Sequence, residues 1–175
     1  MDDDFATFVS MRMPALLRFG HALTGNRHDA LDLVQSALER TGVRWRTVQR
    51  RGDDPEAYVR RAMVNTWVSR WRKLRRETLV AGVPDGPAAA VADAALEREP
   101  LWQALRALPP GQRAVIVLRY YEDLSEAQIA DVLGVSPGTV KSQASKAMAR
   151  LRVRLAERDP PDDAATSPAG TRSRT

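Results

Sequence analysis

The sequence predicts an all-α protein of two small helical domains joined by a flexible linker. Apolar residues recur at steps of three and four along most of the chain, and no stretch shows the two-residue alternation of a strand. That periodicity lapses over residues 77–96, where Gly, Pro, Ala and acids gather. Charge follows the same division. Residues 44–76 hold 11 Lys and Arg against 3 Asp and Glu, and residues 138–158 hold 6 against 1, whereas residues 77–100 hold 5 acids and 1 base. A total of +5 thus conceals two basic blocks separated by an acidic one, a pattern suited to nucleic acid at two places. The expected units are a domain at 1–76, a linker at 77–96, a domain at 97–158, and a disordered tail at 159–175 with almost no apolar content.

The elements follow in order. Phe5, Phe8, Val9, Met13, Leu16, Phe19 and Leu23 predict a helix over 4–23, ended by the turn Thr24-Gly25-Asn26. A second helix spans about 27–41, with Ala30, Leu31, Val34, Ala37 and Leu38 inward and Gly42 as its stop. Residues 45–54 break the pattern and read as an arginine-rich loop. Asp54-Pro55-Glu56 supplies an N-cap, a first-turn proline and a first-turn acid, opening a long helix to about residue 76. Trp67 and Trp71 lie four apart on that helix among cations, where base stacking and core packing compete; a small helical domain's need for large buried side chains favours the core. Leu101, Leu105 and Leu108 start the second domain, Pro109-Pro110-Gly111 ends that helix, and another runs from Gln112 to about Tyr121.

Residues 125–152, SEAQIADVLGVSPGTVKSQASKAMARLR, carry the most specific pattern in the chain. Ser125 and Gln128 have the spacing of a capping box, Gly134-Val135 makes a tight turn, and Ser136-Pro137 restarts the helix. The second helix buries Val140, Ala144, Ala147, Leu151 and Leu155 on one stripe. Its other face presents Ser136, Thr139, Lys141, Ser142, Gln143, Ser145, Lys146 and Arg150. Hydroxyls and an amide can meet base edges while cations meet phosphates, the chemistry of a helix-turn-helix recognition helix in the major groove.

Several classes are disfavoured. The chain has no cysteine, so it offers neither disulfides nor thiolate chemistry. His21 and His28, with Asp29 and Asp32, make an incomplete metal set and are expected on the surface. No cofactor, metal or small-molecule substrate is expected. The start is acidic rather than a secretory signal, and no apolar run reaches membrane-spanning length, so the expected location is cytoplasmic.

Three segments together resemble a known family. LPPGQRAVIVLRYYEDLSEAQIADVLGVSPGTVKSQASKAMARLR is similar to the domain of bacterial sigma-70-superfamily factors that reads the minus-thirty-five promoter element. DALDLVQSALER at 29–40 resembles their polymerase-docking helix, and DPEAYVRRAMVNTWVSRWRKLRRE at 54–77 their minus-ten helix. The chain is identified on these motifs as a member of the short extracytoplasmic-function type, close to its actinobacterial sigma-E-like subgroup. The resemblance spans roughly residues 5–155.

It implies core RNA polymerase and promoter DNA, duplex and non-template single strand, as partners, and admits an anti-sigma factor as an inhibitor. Asp32, Leu33, Gln35 and Glu39 become docking candidates. Asn65 falls where such factors hold a base flipped from the non-template strand, and an amide offers that base both a donor and an acceptor. Arg46, Arg50 and Arg51 in the preceding loop, and Arg60, Arg61, Arg70, Arg72 and Lys73 on the helix, become minus-ten phosphate candidates. At 143 many members carry Arg and this chain carries Gln, which favours adenine where Arg favours guanine. Two promoter elements one and a half turns apart are separated by roughly 50 Å. Twenty linker residues can span up to about 65 Å. No bond-making step is expected of such a chain, and no paired carboxylates or activated nucleophile suggest an enzyme. The competing reading is a stand-alone helix-turn-helix regulator, which would leave the basic block at 44–76 unexplained.

Overall fold

The computed structural model describes residues 3–52, 54–81 and 99–156, with side chains through residue 73 in the second stretch. These residues form eight helices: α1 (Asp3–Thr24), α2 (Arg27–Val43), α3 (Trp45–Arg51), α4 (Pro55–Ala81), α5 (Pro100–Arg106), α6 (Pro110–Tyr120), α7 (Glu126–Leu133) and α8 (Pro137–Ala156). No strand occurs among the described residues.

Local chemistry sets the helix ends. Asn26 caps α2 by accepting from the Asp29 backbone N–H at 2.8 Å, after a turn in which Gly25 takes φ +79°. Asp54 caps α4 through Oδ1, which accepts from the Glu56 N–H at 3.0 Å. At α7 the capping box is complete: the Gln128 N–H donates to Ser125 Oγ at 3.3 Å, and the Ser125 N–H donates to Gln128 Oε1 at 2.9 Å. Each cap contributes about 1 kcal/mol by satisfying N–H groups that the helix leaves unpaired. Gly134 ends α7 at φ +66°, in the left-handed region open to glycine. Ser136 Oγ then accepts from the Thr139 N–H at 3.1 Å and starts α8.

Four features depart from the sequence-based expectations. Residues 45–51 are helical rather than a loop, because Trp45 and Val48, three apart, are buried and pin one face. Helix α4 continues past residue 76 through Ala81, so the expected linker's first residues are helical; residues 82–98 and the tail from 157 lie outside the described residues. In α2 Leu33 and Leu38 are buried, while Leu31, expected inward, is exposed. His21 is buried rather than on the surface, stacked on Trp102 with ring centroids 6.1 Å apart.

The core begins within each domain and then crosses between them. Helix α2 packs between α1 and α4, and α8 packs across α5, α6 and α7. Leu16, Phe19, Leu23, Leu33, Val59 and Met63 of the first domain form one apolar cluster with Val115, Leu118, Ile129, Leu133 and Val140 of the second. Residues 19–23 at the end of α1 and 112–118 in α6 are buried without interruption. A run of that length leaves no face of either segment for water. Trp67 and Trp71 stack at 5.8 Å; Trp67 is buried, and Trp71 packs half-buried against the cluster. The core placement of both agrees with the reading favoured from sequence.

Candidate nucleic-acid and polymerase interfaces

Tyr58, Arg61, Ala62 and Asn65 recur at steps of three and four, so one face of α4 carries them all. That face meets the end of α2. Together with Arg40, Val43 and Arg44 it encloses an open cavity of about 450 Å³. Arg40 is fixed there, its Nη1 donating to Thr66 Oγ1 at 3.0 Å. The cavity wall thus carries three guanidiniums, an amide, a phenol and two apolar side chains, with no carboxylate. On the far side of Arg44 and Tyr58 lies a smaller cavity of about 250 Å³, completed by Thr47, Val48 and Arg51. Both suit an unstacked nucleotide: the ring of Tyr58 offers a stacking surface, and the arginines offer donors to base edges and phosphates.

The expected minus-ten residues divide into three groups. Arg61 and Asn65 line the larger cavity and Arg51 the smaller. Arg46, Arg50, Arg70 and Lys73 are exposed outside both cavities, and Arg50 reaches Thr47 Oγ1 at 3.4 Å. Arg60 and Arg72 are engaged by other parts of the protein, Arg60 half-buried and Arg72 at an exposed position. Arg60 pairs with Glu56 at 2.7 Å and with Glu122 at 2.9 Å, and burial raises the Glu122 carboxyl above its ordinary value against the pull of Arg60. Arg72 donates to backbone carbonyls of α7. Sequence reasoning missed Arg40, Val43, Arg44 and Tyr58. The signal available was the i, i+3, i+4 register of Arg40, Val43 and Arg44 at the end of α2, and that of Tyr58 with Arg61 and Ala62 on α4.

On α8 the outward face is presented much as the sequence suggests. Lys141, Ser142, Ser145 and Lys146 are exposed, and Gln143 is half-buried between them and the core stripe. Three members have internal partners. The Thr139 and Ser136 hydroxyls lie 2.9 Å apart at the cap, and Arg150 Nη1 donates to Gln112 Oε1 at 3.0 Å.

On α2, Asp32, Gln35 and Glu39 are exposed, with Gln35 Nε2 donating to Glu39 Oε1 at 3.0 Å. Leu33 does not share their surface, being buried in the core; Leu31 is the exposed apolar side chain beside Asp32. Among the described residues no three His, Asp or Glu side chains come together as a metal site, and no helix is long and apolar enough to cross a membrane.

A helix-turn-helix reader joined to a second basic helical domain with nucleotide-sized cavities defines a class of protein that grips DNA at two points. The sigma-70 region 2 family matches residues 8–77, and the sigma-70 region 4 family matches residues 98–151. An RNA polymerase sigma-E factor of Streptomyces coelicolor is 40% identical over 157 residues, covering 89% of this chain and 88% of the relative. The extracytoplasmic-function sigma factor SigL of Mycobacterium tuberculosis is 34% identical over 150 residues, covering 81% of this chain and 83% of SigL. Among solved structures, the sigma factor RpoE of Bartonella quintana, crystallised with the anti-sigma factor NepR, aligns with a TM-score of 0.56 at 29% identity over 87% of this chain and 96% of RpoE. The chain belongs to the sigma-70 family of RNA polymerase sigma factors.

Proposed function

We propose that this sigma factor directs core RNA polymerase to promoters through three surfaces. The outward face of α8 reads the upstream element, the cavity at Asn65 holds an unstacked non-template base, and the exposed face of α2 docks on the polymerase. The cavity carries the reading. A stand-alone regulator has no use for a nucleotide-sized recess in its second basic domain, whereas a factor that opens DNA needs somewhere to put an unstacked base. Because the recess is rich in donors and has no carboxylate, it favours a base with an acceptor-rich edge. Residues 1–76 serve the docking and minus-ten functions, and residues 97–158 the upstream element. The chain makes and breaks no bonds itself; its free energy goes into positioning and strand separation, in the cytoplasm beside the polymerase. The RpoE neighbour was crystallised with an anti-sigma factor, which supports a partner of that kind here.

Two substitutions in α2 test the docking face. Leu31→Ala, at an exposed position, weakens binding to core polymerase about tenfold and leaves stability within about 0.5 kcal/mol of wild type. Leu33→Ala instead lowers stability by about 2–5 kcal/mol, as expected of a large buried side chain. Titration of fluorescent core polymerase and chemical denaturation read the two effects separately. If Leu31→Ala binds core polymerase as wild type does, this face is not the dock.

Lys141→Ala tests α8. Binding to upstream duplex weakens for cognate and unrelated sequences alike, and the salt slope falls by about one. Gln143→Ala instead relaxes discrimination at a single base pair. A sequence-selective loss at Lys141 would contradict its assignment to phosphate.

A further inference from the structure

Each domain sends one arginine onto the C-terminal end of a helix in the other. Arg72, from α4, reaches the last turn of α7: Nη2 lies 2.7 Å from the Val132 carbonyl and 3.2 Å from that of Asp131, and Nε lies 3.4 Å from that of Leu133. Arg113, from α6, reaches the last turn of α1, with Nη2 at 2.7 Å from the Thr24 carbonyl and Nε at 3.2 Å from that of Leu23. Its Nη1 also donates to Arg106 and Leu108 at the end of α5. Final-turn carbonyls lack intrahelical partners and form the negative end of the helix dipole, so a guanidinium fork suits both places.

A glycine with positive φ lies beside each guanidinium. A Cβ on Gly134 would lie 2.9 Å from Arg72 Nη2, and one on Gly25 would lie 2.5 Å from Arg113 Nη1. The two glycines that end α7 and α1 therefore also make room for the opposite domain's arginine. Phe19 against Tyr121, with centroids 5.1 Å apart, and Arg60 with Glu122 add to the apolar cluster that the two domains share.

This closed arrangement cannot grip two promoter elements at once. From Asn65 the path runs seven residues along α4 to Arg72, roughly 10 Å. It then crosses one helix contact of about 8–10 Å and rounds the turn from Leu133 to Ser136 in at most about 11 Å. The base cavity and the start of α8 are thus on the order of 30 Å apart, short of the roughly 50 Å between elements.

We propose that the reciprocal arginine caps are a clasp that holds the free chain closed, and that Arg72 passes from the α7 carbonyls to a DNA phosphate when the chain opens. The clasp rests on the structure alone; the transfer of Arg72 rests on the minus-ten reading above. A phosphate carries a full negative charge where a helix end carries about half of one, so DNA competes effectively for the same guanidinium. Closure in turn lowers the affinity of the free chain for promoters by the fraction of molecules that are open.

The chain has no cysteine, so paired spin labels can be placed at will in the full-length protein. Labels at Ser10→Cys and Val153→Cys, both exposed, report the distance between domains. Free wild type gives one narrow, short distance, and core polymerase with promoter DNA gives a long one. Arg72→Ala and Arg72→Lys both raise the open fraction of free protein about tenfold or more, since lysine cannot fork across three carbonyls. In promoter opening the two diverge: Arg72→Lys retains activity within about threefold because an ammonium still meets a phosphate, whereas Arg72→Ala loses about tenfold. Tyr121→Ala, outside the DNA surfaces, opens the free chain without weakening promoter opening. A long distance in free wild type, or a closed Arg72→Lys variant, overturns the clasp. Full promoter opening by Arg72→Ala overturns the transfer alone. Absence of core-dependent transcription by wild type refutes the sigma mechanism while leaving the distance result to decide the clasp.

Discussion

Replacing Arg113 with alanine lowers the free energy of unfolding by about 2–4 kcal/mol, the largest loss expected from any single charged side chain in this protein. The guanidinium is almost wholly buried and has no carboxylate partner among its hydrogen bonds. Burial pulls its pKa down to about 10, so it remains charged at neutral pH and must be solvated by the four carbonyls around it. Removing it strands those carbonyls at the ends of α1 and α5 and empties the space beside Gly25. Arg113→Met separates the two losses, because methionine fills most of the volume and donates nothing. Urea denaturation should show Arg113→Met nearly as destabilised as Arg113→Ala. A methionine variant within about 0.5 kcal/mol of wild type would mean that packing, not hydrogen bonding, is the arginine's contribution.

Replacing Asn65 with alanine reduces promoter opening about ten- to a hundredfold while leaving upstream duplex binding within about twofold. The size follows from the roughly 1–3 kcal/mol of a good two-point contact to a base edge. The selectivity follows from geometry. Asn65 is an exposed wall of the cavity on α4, and the recognition face of α8 is built by other residues. Because the residue is exposed, its replacement leaves stability within about 0.5 kcal/mol of wild type. Opening is followed by the fluorescence of an unpaired base analogue in the non-template strand, and upstream binding by anisotropy on a duplex. Equal losses in the two assays would remove the division of labour between the domains.

The fold was legible where local chemistry decides it. Ser125 with Gln128, Asp54 with Glu56, and Ser136 before Pro137 each mark a helix start that the structure forms by the expected bonds. Legibility failed where a neighbour decides. Leu31 and Leu33 are equally apolar, and only the packing of α2 between α1 and α4 makes Leu33 the buried one. The seven residues of α3 are too few and too polar to show a period, so the single step from Trp45 to Val48 was the whole signal. The joined core was not visible at all. Phe19 and Leu23 read as ordinary positions on the apolar stripe of one domain and residues 112–121 as a helix of another, and nothing local says that the two interiors meet.

The candidate site was legible in composition more than in arrangement. Asn65 and Arg61 were found, but the cavity they line is completed by Arg40, Val43 and Arg44 from α2 and the turn that follows it, brought there by packing. Arg72 shows the converse. By sequence it is one cation among several on α4, and in the structure it is spent on another helix.

Initiation by purified components tests the central claim most directly. Full-length protein added to sigma-free core polymerase should start RNA synthesis at a cognate promoter, co-elute with the polymerase, and give no specific duplex binding of comparable strength on its own. Tight binding of the isolated chain to a specific palindrome, with no association with core polymerase and no RNA made, would contradict it.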